Sequence, residues 1–254
     1  MEVQRCKTGV PGLDDLIEGG IPSGRVVLVS GGCGTGKSML GAQFLYHGAL
    51  EYDEPGILVS LEQNPELFKQ DMAIMGLDFD KMEEEGKIII IDASLSGMAY
   101  EGQAEKYTLS QSSAFSPESI LGLIKEGVNE IGAKRAVVDS FSALDSLIET
   151  RRRSTGSSPV SEECVRKTLL GINYKLQSMG LTSILITDNL VQDKEAASGI
   201  EDFIVDGVIT LHYNVTGPDA GRNLIIRKMR STKHSENINT IEFRKGEGLF
   251  VKGF

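Results

Sequence analysis

Residues Gly31-Gly32-Cys33-Gly34-Thr35-Gly36-Lys37-Ser38 fit the pattern G-x-x-x-x-G-K-[ST]. The loop follows an apolar β-type run, Val26-Val27-Leu28-Val29-Ser30, and opens a stretch of helical character over residues 39–45. A strand, a glycine-rich turn and a helix in that order are what the motif needs. Four glycines leave the backbone free to turn its N–H groups inward, as an anion nest at a helix N-terminus. The pattern predicts that Gly32, Cys33, Gly34, Thr35, Gly36, Lys37, Ser38 and Met39 cradle a nucleoside triphosphate. Lys37 then reaches the β- and γ-phosphates, and the Ser38 hydroxyl ligates Mg²⁺.

A buried strand before such a loop calls for neighbours of the same kind, and the chain supplies them. Gly56-Ile57-Leu58-Val59-Ser60-Leu61, Ile88-Ile89-Ile90-Ile91-Asp92, Ala136-Val137-Val138-Asp139 and Thr182-Ser183-Ile184-Leu185-Ile186-Thr187 are continuous apolar runs of buried-strand type. Between them lie helical patterns with start signals. Asn64-Pro65-Glu66 reads as a cap, first helical residue and acidic first turn, and Ser116-Pro117-Glu118 repeats the device. Ile120, Leu121, Ile124, Val128 and Ile131 share one helix face, and so do Val165, Leu169, Ile172 and Leu176 in a helix resuming at Ser161. Alternation of this sort predicts an α/β fold with a mostly parallel twisted sheet and right-handed crossovers. Residues 205–213, 223–229 and 239–243 read as antiparallel strands appended to one edge, and residues 93–115 as a long loop. No linker divides residues 1–254, so a single domain is expected.

Composition narrows the class. The 254 residues are 40% hydrophobic and 24% charged, and 36 acidic against 26 basic residues leave a net charge of −10. Whole-surface attraction to nucleic acid or anionic membrane is not expected from that balance. No apolar run approaches the ~20 residues that span a bilayer. Cys6, Cys33 and Cys164 show no metal spacing and cannot all pair, which together with the absence of a signal-type leader predicts a reducing cytoplasm.

Hydrolysis asks for a metal anchor and a group that orients water, both at the carboxyl ends of neighbouring strands. Asp139 follows the Ala136–Val138 run and is expected to hold Mg²⁺ through water. Glu62 follows the strand over residues 57–61, where a carboxylate can orient water or serve as a plain loop glutamate. Thr187, Asp188 and Asn189 end the next strand, as γ-phosphate sensors or as turn residues.

Three phrases together resemble a KaiC-type domain, a branch of the RecA-like P-loop ATPases. They are the phosphate loop, the upstream Thr8-Gly9-Val10-Pro11-Gly12-Leu13-Asp14, and Lys228-Met229-Arg230-Ser231-Thr232-Lys233-His234. The resemblance runs over nearly the whole chain. It implies an ATP- and Mg²⁺-dependent ATPase that forms rings, typically hexamers, with each nucleotide between two subunits. It implies that Glu62 is the first member of a catalytic glutamate pair whose second place is taken by Gln63, which points to slow turnover. It further implies that Lys228 and Arg230 reach the neighbour's γ-phosphate, with His234 near the same nucleotide. A hydroxyl pair for clock-type autophosphorylation is missing from residues 199–206.

Three functions compete on these grounds: a ring ATPase driving a protein partner, a recombinase- or helicase-like nucleic-acid binder, and a low-turnover nucleotide-binding regulator. The second rests on Arg151-Arg152-Arg153 in a Ser/Gly stretch suited to backbone phosphates. No aromatic is interleaved there for base stacking.

Overall fold

The computed structural model describes residues 3–94, 107, 116–143, 162–188, 204–217 and 220–253, with no side chains for 162–166. Among these residues a nine-stranded sheet carries the chain. Its strands, in sequence order, are β3 (Val26–Gly31), β4 (Gly56–Ser60), β5 (Ile88–Asp92), β6 (Arg135–Asp139), β7 (Thr182–Asp188), β8 (Gly207–Asn214), β9 (Gly221–Met229), β10 (Asn239–Arg244) and β11 (Gly248–Lys252). The spatial order is β11-β10-β9-β8-β3-β7-β6-β4-β5. A small separate ribbon pairs β1 (Arg5–Cys6) with β2 (Ile21–Pro22).

From β5 to β8 every pairing is parallel. The remaining three strands run antiparallel. The parallel strands are buried on both faces, and the period of two in side-chain direction divides them between two cores. Val27, Val29, Leu58, Ile90, Val137 and Ile184 pack under helices α1 (Lys37–Glu51), α2 (Pro65–Ile74) and α3 (Phe79–Glu84). Val26, Leu28, Ile57, Val59, Ala136 and Leu185 pack under α4 (Pro117–Ile131) and α5 (Glu162–Ser178). The helix starts follow local chemistry. Asn64 accepts a hydrogen bond from the Glu66 N–H at 2.9 Å, and Ser116 accepts one from the Ser119 N–H at 3.2 Å, each just before a proline at the first helical position.

One expectation is corrected. The segment expected over 205–213 as an appended antiparallel strand is β8, which pairs parallel with β3 and only on its other side antiparallel with β9. Its side chains alternate between the two cores as those of the parallel strands do, Ile209 and Leu211 entering one and Val208 the other. The strand β11 and the short helix α3 are not among the elements that the sequence patterns predict. β11 is held by a residue far away in sequence: Gln43, fully buried in α1, donates to the Leu249 carbonyl at 3.2 Å and accepts from its N–H at 2.7 Å. Most of the long loop expected over 93–115 lies outside the described residues.

Gly12, in the Thr8–Asp14 phrase, shows why that phrase needs glycine. Its φ is +83°, and a Cβ there would sit 1.9 Å from the Val251 carbonyl oxygen. The N-terminal segment, with the 3₁₀ turn Asp14–Ile17, therefore lies directly on β11.

Candidate active site

The phosphate loop leaves β3 at Gly31 and enters α1 through Gly36, whose φ of +109° excludes a side chain. Lys37 folds back over the loop. Its Nζ donates to the Gly31 and Gly32 carbonyls, both at 2.9 Å, and forms an ion pair with Asp188 at 2.8 Å. Thr35 donates to the Gly32 carbonyl at 2.9 Å, closing the turn. Asp188 stands level with Gly31 because β7 pairs with β3 in that register. Thr187 is hydrogen-bonded to Ser142, and the same Ser142 accepts from the Asp188 N–H at 2.8 Å. Cys33 is exposed.

The next two strands bring the other expected residues to the same edge. Ser60 of β4 is level with Asp139 of β6, so Glu62, two residues further on, lies beside Asp139. The Ser38 side chain lies against the Asp139 carboxylate. Ser140 donates to Glu62 and fixes its carboxylate. A cavity of about 60 Å³ opens between Ser38, Ser60, Glu62, Gln63 and Asp139. Burial pushes the Asp139 carboxyl above the ordinary 3.8, and the negative charges of Glu62 and Asp188 push the same way, while Ser38 and Lys37 oppose. Gln63 has a different engagement: its amide donates to Asp71 of α2 at 2.8 Å.

A hydroxyl and a carboxylate with no soft donor suit Mg²⁺, which takes oxygen ligands and keeps several of them from water and phosphate. Among the described residues no group of three or more His, Cys, Asp or Glu side chains could hold a metal. A cation between Ser38 and Asp139 therefore needs a nucleotide's phosphates to complete its shell, and it would relieve the buried carboxylate.

On the outer side of the loop lies an open cleft of about 450 Å³ bounded by Gly34, Lys37, Ser38, Met39, Arg222 and Phe243. Arg222 donates from Nε to the Gly34 carbonyl at 2.9 Å. Its guanidinium lies over the rings of Tyr213 and Phe243, 4.7 and 4.9 Å from their centroids. Phe243 also explains why residue 36 is glycine, since a Cβ there would lie 2.7 Å from its ring. None of these three residues carries a motif. Only the antiparallel hairpins, curling back over α1, bring them to the loop.

Lys228 and Arg230 do not join this cluster. Lys228 pairs with Val208, which is level with Leu28 near the start of β3. The Arg230 N–H donates to the Asp206 carbonyl, and the Asp206 N–H to the Val26 carbonyl. At ~3.3 Å per residue, the five steps from Val26 to Gly31 put Arg230 about 17 Å from the phosphate loop along the sheet. Lys228 donates to the Val205 carbonyl at 2.7 Å, and Arg230 is half exposed, 3.6 Å from the buried Asp206 carboxylate. His234 lies in the loop that follows, its Nδ1 3.1 Å from the Ser235 carbonyl.

A family model described as "ATPase: KaiC" matches residues 6–253. The chain belongs to the KaiC family of ATPase domains. The solved KaiC-like protein PH0186 of Pyrococcus horikoshii OT3 is 38% identical and superposes with a TM-score of 0.79, covering 99% of this chain and 100% of that one. The UPF0273 protein MJ1359 of Methanocaldococcus jannaschii is 36% identical over 249 residues, which is 98% of this chain and 96% of the relative. A UPF0273 protein of Aeropyrum pernix is 36% identical over 252 residues, covering 98% and 94%.

The α/β sheet with its antiparallel C-terminal strands is thus the RecA-like fold of a KaiC-type domain. Within it, the phosphate loop, Asp139 and Glu62 converge at one end of the sheet, and the K-x-R phrase stands at the other. Asn189, Arg151, Arg152, Arg153 and residues 199–203 lie outside the described residues. Among the described residues no helix is long and apolar enough to cross a membrane.

Proposed function

We propose that this KaiC-type chain binds ATP with Mg²⁺ and hydrolyses it as a ring-forming oligomer, a hexamer, with each nucleotide held between two subunits. Residues 1–254 act in it as one domain, in the cytoplasm, and the nucleotide cycle drives a protein partner. The observation that carries the reading is the opposition of the two half-sites. One end of β3 holds a phosphate cradle with acidic residues beside it, and along the sheet Arg230 lies about 17 Å and Lys228 about 10 Å back from it. Cations so placed cannot serve their own loop, but head-to-tail packing brings one subunit's cations to the next subunit's phosphates.

In this mechanism Lys37 exchanges the Asp188 carboxylate for phosphate oxygens, while Gly32–Gly36 direct N–H groups at them. Bound Mg²⁺, held by Ser38 and Asp139, would offset the charge that develops on the β- and γ-oxygens. Glu62, oriented by Ser140, positions the attacking water and receives its proton. The neighbour's Lys228 and Arg230 stabilise the transferring phosphoryl group, and His234 packs against the same nucleotide. The Arg222, Tyr213 and Phe243 stack holds the nucleoside side of the ligand. A low-turnover regulator is the second reading, and Gln63 favours it, because its amide is engaged by Asp71 and leaves Glu62 as the lone carboxylate of the pair.

One set of variants tests all of this. Wild-type protein hydrolyses ATP, Lys37→Ala does not, and Arg230→Ala does not. Mixing the two inactive proteins in equal amounts restores activity at about a quarter of the interfaces if subunits assemble at random in a head-to-tail ring. Wild-type turnover no faster than Lys37→Ala sinks the enzyme reading. Failure of the mixture to recover counts against the shared site.

A further inference from the structure

The turn that follows Arg230 is held in place from outside itself. Ser231 has φ +56°, a left-handed conformation that non-glycine residues seldom adopt. Glu18 has φ +53° and directly faces that turn. These are two of the three non-glycine residues with positive φ among the described residues. Such conformations persist only where the surroundings over-determine them. Here the surroundings are a set of hydrogen bonds from the N-terminal segment. Arg5 donates from one nitrogen to the Thr232 hydroxyl at 2.5 Å and to the Gly20 carbonyl at 3.3 Å. From its other nitrogen it donates to Glu18 at 3.0 Å and to the Ser231 carbonyl at 3.3 Å. The same Glu18 oxygen accepts the Lys233 N–H at 3.1 Å, and the Leu16 carbonyl accepts the Ser235 N–H at 2.9 Å. Residues 5, 16 and 18 therefore grip 231, 232, 233 and 235, some 215 or more positions later in the chain, while the Gly20 carbonyl holds Arg5 itself.

We propose that Arg5 and Glu18 are positioning residues for the shared site. They set the turn between Arg230 and His234, and through it the angle at which a subunit offers these side chains to its neighbour's triphosphate. This rests on the proposed site between subunits. The clamp is partly exposed, with the Arg5 side chain 17% and the Glu18 side chain 47% exposed, so water screens part of the ion pair on its Glu18 side. Geometry is another matter, because misplacing a transition-state contact by about 1 Å costs ~100-fold in rate. The clamp therefore matters for where the cations point. Neither residue touches the phosphate loop of its own subunit, so its effect belongs to the subunit that supplies the cations.

The mixed oligomer makes that direction measurable. The Lys37→Ala subunit supplies intact cations, and the Arg230→Ala subunit supplies an intact phosphate loop. Arg5→Ala introduced into the Lys37→Ala subunit is expected to lower the recovered kcat by ~10- to 100-fold with the KM for ATP unchanged. The same substitution introduced into the Arg230→Ala subunit is expected to leave the recovered activity as it was. Glu18→Gln should show the same asymmetry more weakly, since its amide oxygen still accepts from Lys233, and Arg5→Lys should restore part of the loss. Equal losses in both placements, or no loss in either, overturn the inference while leaving the shared site standing. If the parental mixture of Lys37→Ala and Arg230→Ala recovers nothing, the shared site falls and the inference with it.

Discussion

Asp139 stands at the end of β6 with a proton affinity raised chiefly by burial. Its carboxyl titrates above the ordinary 3.8 in the folded chain, so the folded state keeps a proton over a pH range in which the unfolded chain has lost it. The unfolded state then binds fewer protons, and metal-free stability falls as pH rises from the ordinary carboxylate value through the raised one. Asp139→Asn removes that penalty. Metal-free Asp139→Asn is expected to melt above the parent at pH 7, with the difference shrinking toward pH 4, while Mg²⁺ no longer raises its melting temperature in the presence of ATP. Thermal melts at several pH values, with and without Mg²⁺–ATP, check both statements. A parent that is more stable than Asp139→Asn at neutral pH without metal would contradict the assignment of burial as the dominant cause.

Among the elements, β11 is tied to α1 through the Gln43 side chain. Gln43 satisfies both backbone groups of Leu249 from inside the core, and Gly248 beside it leaves no room for a Cβ, which would lie 2.7 Å from the Gln43 amide. Gln43→Ala loses two hydrogen bonds and strands two buried backbone groups, a cost of roughly 3 kcal/mol. In a chain of this size that lowers Tm by on the order of 10 °C. Because β11 and β10 form the hairpin that carries Phe243 to the loop, nucleotide affinity should fall as well. Scanning calorimetry and a nucleotide titration on the same sample check the pair of effects, and a Gln43→Ala protein with unchanged Tm would refute the role given to this contact.

For the whole molecule, the proposed division of the site between cradle and cations would make assembly part of the chemistry. Oligomer mass measured with and without Mg²⁺–ATP is expected to show a hexamer that the nucleotide stabilises, with Lys37→Ala losing the nucleotide effect and keeping the interface. A monomer that turns ATP over at the same rate per chain across dilution would refute the division of the site between subunits. The acidic balance of 36 against 26 charges is no obstacle to the proposed packing, in which a cationic edge of one subunit would face a cradle with Glu62, Asp139 and Asp188 beside it in the next.

Read locally, the chain specifies its phosphate loop, the buried parallel strands and the capped starts of α2 and α4. Each depends on residues within a few positions of one another, where backbone freedom, side-chain period and capping chemistry act. Glu62 and Asp139 were legible for the same reason, as the polar ends of apolar runs. Tertiary structure alone decided the rest. β8 became a parallel neighbour of β3, a pairing between strands far apart in the chain that the turn-rich sequence after β8 does not reveal. Arg222 and Phe243 reached the loop, and Gln43 reached β11, across separations of 188 to 206 residues that no period encodes. The grip of Arg5 on Thr232 spans 227 positions. Contacts that far apart are chosen by which surfaces remain to be covered once the sheet has formed, and that is a property of the assembled layers.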